Sequence, residues 1–206
     1  MSRRLAPSVA ACALLISSAA FAQTATGGED RAHQHRDLFL RLEAGGGYLR
    51  SSATVDGLSG SISGPAGSLG VSLGWSIQEN LSIFGHLSWS AAPSPTVSLG
   101  DSSGSQSLLS FLSGGPGVNY YFMPSNYYVS AMVLLTGLFT TSQAGGSGSS
   151  EVGLGLKAAV GKEWWVSDRW GLGVAGQFSF GSNQDQGSPS HWKTISPALA
   201  FSATFD

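Results

Sequence analysis

The sequence predicts an all-β fold, an eight-stranded antiparallel up-and-down transmembrane β-barrel. Three observations point to it. Apolar side chains recur at every second position, as in "SLGVSLGWSIQENLSIFGHLSW" at 68–89. The connectors between such segments are alternately short and long. The polar positions of each segment are mostly Gly and Ser rather than Lys, Glu and Asp, in a chain only 11 % charged. Period-2 alternation identifies strands, and the other two features say what surrounds them.

Eight segments alternate: 37–50, 66–77, 80–90, 107–122, 126–141, 151–165, 169–181 and 192–205. Tight connectors fall at Gln78, at "MPS" and at "VSD". Long ones are "SSATVDGLSGSISGPA", "AAPSPTVSLGDSSGSQ", "SQAGGSGSS" and "SNQDQGSPSH", within which "DGLSGSISGP" and "GSGSS" read as mobile solvated loops. An even number of antiparallel strands, with short turns at one end and long loops at the other, is the pattern of a bacterial outer-membrane barrel with its short turns in the periplasm.

The two faces of the strands separate a membrane barrel from a soluble one. In the second segment Leu69, Val71, Leu73, Trp75 and Ile77 share one face, and Ser68, Gly70, Ser72, Gly74 and Ser76 share the other. The third, first and sixth segments divide the same way, and mid-strand charges fall only on the polar face. A soluble, lipocalin-like barrel would need a charged exterior, which these faces cannot supply. With the apolar face toward lipid, a mid-bilayer Arg or Lys would cost about 2–4 kcal/mol, and the small polar face suits the narrow interior of eight strands. Arg50 and Lys162 have outward parity, but both lie at strand ends, where the cost falls to about 0–1 kcal/mol. A strand edge left open in hydrocarbon would strand NH and CO groups, so the first strand must pair with the eighth.

Aromatic residues gather at two levels. Trp75, Tyr120, Phe122, Tyr127, Trp164, Trp170 and Phe205 lie beside tight turns or the C-terminus, while Tyr48, Trp89, Phe139, Phe178, Phe180 and Trp192 lie toward the long connectors. Two such belts mark the two membrane–water interfaces.

Ahead of the barrel, "MSRRLAPSVAACALLISSAAFAQ" has a basic start, a short apolar run and Ala20-Phe21-Ala22, the layout of a secretory signal peptide over 1–22. Residues 23–36 read as a flexible, solvated lead-in, with His33 and His35 too isolated to be metal ligands. The barrel domain is expected over 37–206. Cleavage would remove Cys12, the only cysteine, excluding disulfides, cysteine-ligated metals and thiol chemistry from the mature chain. It would leave eight basic against twelve acidic residues, which argues against a nucleic-acid partner.

"GPGVNYYF" at 115–122, "VGKEWWVSDRWGLGVAGQFSFG" at 160–181 and the closing "PALAFSATFD" resemble phrases of the small bacterial outer-membrane β-barrel proteins, the OmpX-like group and the barrel domain of OmpA-like proteins. The resemblance covers about 37–206. It implies an integral outer-membrane location, contact with outer-membrane lipid, and recognition by the barrel-assembly machinery through a C-terminal strand ending at Phe205, here followed by Asp206.

Candidate site residues are few. Arg41, Glu43, His86, Lys157 and Glu163 have inward parity and are expected to form a polar network that pairs charges and closes the lumen; a selectivity lining for a narrow passive pore is the alternative. His86 and Ser88 form an H-x-S pair that brings outer-membrane lipid A deacylases to mind, with Glu43 as orienting carboxylate. Both point into the lumen, away from a lipid substrate, so no catalytic residue, metal or cofactor is expected. The reading is a non-catalytic barrel with a structural or surface-interaction role through its long loops, whose ligand the loops do not identify.

Overall fold

The structure is a computed structural model that describes residues 35, 38–55, 58–99, 102–105, 108–142, 146–186 and 190–205. The expectations for a signal peptide, for most of the lead-in and for Asp206 lie outside the described residues. The described residues form eleven strands: β1 (Leu38–Val55), β2 (Leu58–Gln78), β3 (Leu81–Pro93), β4 (Thr96–Leu99), β5 (Ser102–Ser105), β6 (Leu108–Phe122), β7 (Tyr127–Thr141), β8 (Ser147–Ser149), β9 (Gly153–Trp165), β10 (Trp170–Gln184) and β11 (His191–Phe205). Eight of them form the wall in the order β1-β2-β3-β6-β7-β9-β10-β11, all neighbours antiparallel, and β1 pairs with both β2 and β11. The sheet therefore closes on itself. The closing seam runs from Leu40↔Phe205 to Ser52↔Lys193.

Side chains along the wall alternate as the sequence pattern requires. Leu73, Leu87, Val133, Leu156 and Leu199 are exposed on the outside, and Arg41, Ser72, His86, Lys157 and Thr204 are buried inside. The outward face of β1 is apolar or glycine from Leu38 to Tyr48, and that of β11 is apolar from Phe205 to Ile195, ten residues in each case. At roughly 3.4 Å per residue and a tilt near 40°, ten residues rise about 26 Å, the height of the apolar band that meets hydrocarbon. An apolar band of this height is that of a barrel that spans a membrane.

Three tight turns join β2–β3, β6–β7 and β9–β10 at one end. Asn80 and Asn126 occupy left-handed backbone there (φ 66° and 55°), a conformation that asparagine tolerates because its short side chain bonds locally. The opposite end is more ordered than the sequence reading expects. "SSATVDGLSGSISGPA" is not a mobile loop: β1 and β2 stay paired to Val55↔Leu58, so only residues 56–57 connect them. Asp-Gly between alternating segments is a strong hairpin signal, and it accounts for the difference. The next connector contains β4, which pairs with β2, and β5, which pairs with β4. "GSGSS" contributes β8, paired to β7. The wall thus rises past the apolar band as a small sheet of β1, β2, β4 and β5.

Replacing Val133, midway along β7 on the lipid face, with Arg should lower folding stability in vesicles by about 2–4 kcal/mol, while Phe139→Arg near the strand end should cost about 0–1 kcal/mol. Urea titration of refolding into lipid vesicles measures both.

Candidate functional site: the barrel interior and its mouth

Eight strands enclose space for side chains and little else, so the interior is read in layers from the tight-turn end. His35 is fully buried at that floor. Its ring stacks on Tyr121 with centroids 3.3 Å apart, lies 4.9 Å from Trp165, and places Nε2 2.9 Å from Asn126 Oδ1. The backbone NH of Asn80 donates to the His35 carbonyl. The solvated-tail reading is therefore corrected at His35, which packs between two tight turns and closes the barrel.

Arg41 and Glu163 form the next layer. Arg41 Nη2 lies 3.0 Å from Glu163 Oε1, with both side chains almost fully buried. The same nitrogen donates to Tyr121 Oη at 2.7 Å, and the Tyr121 hydroxyl donates to Glu163 Oε2 at 2.9 Å. Thr204 donates to Glu163 Oε1 at 2.6 Å and accepts from Arg41 Nε at 3.1 Å. Arg41 Nη1 reaches Asn119 Oδ1 at 3.4 Å, and the Tyr128 ring lies 4.0 Å from the guanidinium carbon. Both glutamate oxygens and three guanidinium nitrogens are thus engaged, the condition under which a buried pair is tolerated. Room for these groups comes from glycine: a Cβ on Gly161 would stand 2.6 Å from the Tyr128 ring.

Glu43, His86 and Lys157 make a third layer. Lys157 Nζ lies 3.7 Å from Glu43 Oε2 and 3.1 Å from His86 Nε2. An ammonium has only protons to offer, so Nε2 accepts and the proton sits on Nδ1, which donates to Ser72 Oγ at 2.8 Å. Gln177 Nε2 donates to Glu43 Oε1 at 2.7 Å. Ser88 turns instead to Ser113, 2.8 Å away. The H-x-S pair therefore makes no hydroxyl–imidazole contact. A small void lined by Ser88, Ser113, Lys157, Gln177, Ser179 and Ser196 has a volume near 10 Å³, about the least that holds one water.

Toward the long-connector end the interior turns apolar. Leu49, Ile62, Ala92, Leu109, Phe111 and Leu138 form a buried cluster, with Val97 and Trp192 packed against it. Trp192, which the sequence reading puts in an interface belt, is thus part of the interior. Above the cluster opens a mouth of about 400 Å³, edged by Ser61, Ser98, Thr140, Ser149 and Asp185.

The belt residues point outward. Trp75, Trp89, Tyr120, Tyr127, Trp164 and Trp170 are exposed, and Phe205 packs edge-on to Trp170 with centroids 5.4 Å apart. Lys162 lies 4.7 Å from the Tyr127 ring and 5.6 Å from that of Trp164, so this outward cation sits among interface aromatics.

Sequence reasoning missed Tyr121, the centre of the charged layer, along with Tyr128; Phe39 and Phe84 fill the interior beside them on the inward face that alternation assigns to both. Their parity is opposite to that of Tyr120, Phe122 and Tyr127, and that signal alone separates interior from belt aromatics.

No protein-family model and no curated protein sequence matches the chain. Among solved structures, Neisserial surface protein A is similar at 15 % identity with a TM-score of 0.51, covering 79 % of this chain and 95 % of that one. The outer membrane protein OprG from Pseudomonas aeruginosa is similar at 14 % identity with a TM-score of 0.52, covering 85 % and 98 %. The fold is that of the small outer-membrane β-barrels. The eight-stranded closure that the family resemblance implies is thus present in full.

Glu163→Gln leaves Arg41 without its carboxylate partner and should lower stability by about 3–5 kcal/mol. Adding Arg41→Met should recover much of that loss, because the pair then goes together. Urea unfolding of the three variants in vesicles, followed by tryptophan fluorescence, checks the order.

Proposed function

We propose that the chain is a non-catalytic β-barrel of the bacterial outer membrane, a closed stalk that carries a surface-interaction face on its long-connector end. One observation carries this reading: the interior is filled at successive levels by His35 with Tyr121, by Arg41 with Glu163, by Glu43 with Lys157 and His86, and by the cluster around Leu109 and Phe111. The void beside Lys157, Ser88 and Ser113 has space for about one water, and an ion passing along the axis would have to displace the paired charges. In this placement the tight turns face the periplasm, and the extended β1–β2 hairpin with β4 and β5 faces outward. The wall contacts outer-membrane lipid. The C-terminal β11, ending in Phe205, is the strand offered to the barrel-assembly machinery.

The absence of catalysis is supported by the site's own geometry. His86 is held by Lys157 and Ser72 inside the lumen, out of reach of a lipid on the outer wall.

Purified, refolded protein in planar bilayers should give no discrete conductance steps; steady unitary steps would overturn the closed-stalk reading in favour of a narrow pore. Lipid A mass spectra of cells with and without the gene should also agree. An acyl-chain difference abolished by His86→Ala would establish an enzyme instead.

A further inference from the structure

The lipid-facing wall is uncharged over most of its height, with one exception at the long-connector end. Arg50 on β1 and Lys193 on β11 both point outward. Each stands twelve residues from its strand's first outward apolar position, Leu38 on β1 and Phe205 on β11, and is the next outward residue past Tyr48 or Ile195. The β1–β11 register pairs Arg50 with Ile195 and Ser52 with Lys193, so the two cations are diagonal neighbours on one face. Diagonal positions stand about 7–8 Å apart at the backbone, within reach of long side chains converging on one group. His191 follows two residues beyond Lys193 on the same face.

These residues line a groove of about 340 Å³ together with Ser52, Thr54 and Ser61. The groove opens where β1 and β11 stop pairing, above Ser52↔Lys193, while β1 continues upward with β2. Among the described residues no acidic side chain pairs with Arg50 or Lys193. On the other strands the outward positions at this end are Ser63 and Ser61 on β2, Thr141 on β7, and Ser182 and Gln184 on β10. Asp185 has the opposite parity and lines the mouth. The positive charge is therefore confined to the seam, at the level where the apolar band ends.

A guanidinium, an ammonium, an imidazole N–H and a row of hydroxyls, arranged around a groove open to the side, suit a phosphate monoester. The level on the wall, directly above Tyr48 and Ile195, matches the headgroup layer of the outer leaflet. We propose that Arg50, Lys193 and His191 form a binding site for the phosphate of an outer-leaflet glycolipid, held at the β1–β11 seam. The inference rests on the outer-membrane placement proposed above. The cations take the phosphate oxygens and the serine hydroxyls complete the shell, while the acyl chains lie along the apolar wall beneath.

The test uses the full mature chain refolded in detergent, with heat-modifiable migration on gels reporting the closed barrel independently of ligand. Native mass spectrometry then measures retention of purified diphosphorylated lipid A, of its dephosphorylated form, and of the diphosphorylated form in competition with inorganic phosphate. The wild type should retain the diphosphorylated lipid. Arg50→Ala with Lys193→Ala should weaken that retention about 30-fold without changing heat-modifiability, and Lys162→Ala, at the other interface, should leave it intact. Equal retention of the dephosphorylated lipid, or undiminished binding by the double variant, would overturn the site. Displacement by millimolar inorganic phosphate would also overturn it, reducing the groove to a free-anion site. Failure of the gel shift in the wild type would count against the barrel reading itself, a separate outcome.

Discussion

Pairing of β1 with β11 is the constraint from which the rest of the structure follows. An open strand edge in hydrocarbon would leave backbone groups with no partner, at several kcal/mol for each. Closure removes both edges at once, through the register from Leu40↔Phe205 to Ser52↔Lys193. It also fixes the diameter, because eight strands can enclose only a lumen of side-chain width. Everything inside must then be filled or satisfied, and everything outside must be tolerable to lipid.

The filling is graded along the axis, and the grading follows from what each end must exclude. At the tight-turn floor, flat rings do the work: His35 on Tyr121, with Trp165 beside them. Stacked rings fill a narrow opening with flat apolar faces while their polar edges reach partners at the rim and in the layer above, His35 to Asn126 and Tyr121 to Arg41 and Glu163. The middle holds Arg41, Glu163, Glu43 and Lys157 in two layers whose hydroxyl and amide partners come from several different strands: Thr204 on β11, Asn119 and Tyr121 on β6, and Gln177 on β10. Such bonds tie opposite walls together across the lumen. The upper cluster around Leu109 and Phe111 is apolar, and it lies between the open mouth and the charged layers.

Much of this was legible in the sequence because period-2 alternation is read directly from residue order. The parity of Leu73 against Ser72, or of Leu87 against His86, is enough to assign faces, and the inward placement of Arg41 and Lys157 follows. Three things were not legible. Which residues meet across the lumen depends on the shear of the closed barrel, so Tyr121 could not be joined to Glu163 from spacing alone. The segments 51–55 and 58–65 are rich in Ser and Gly, residues that favour loops, and strand pairing up to Val55↔Leu58 overrides that preference. His35 lies in a polar run with no period of its own, and it is ordered by the tight turns it packs against, which a local reading cannot see.

The buried charges have a further consequence for how β1 chooses its face. A one-residue slip exchanges inside for outside along the entire strand. On β1 both faces carry large apolar side chains: Leu38, Leu40 and Leu42 outside, Phe39 and Leu49 inside. Exchanging those sets would cost little in lipid, so hydrophobicity alone distinguishes the two registers weakly. Arg41 and Glu43 break the tie, since in the slipped register both would face hydrocarbon, where an Arg alone costs about 2–4 kcal/mol near the midplane. The slip would also separate Arg41 from Glu163 and Glu43 from Lys157, leaving two interior charges without partners. The ion pairs thus add less to net stability than to the gap between the native register and its nearest competitor, a gap that an apolar filling of equal volume would not provide.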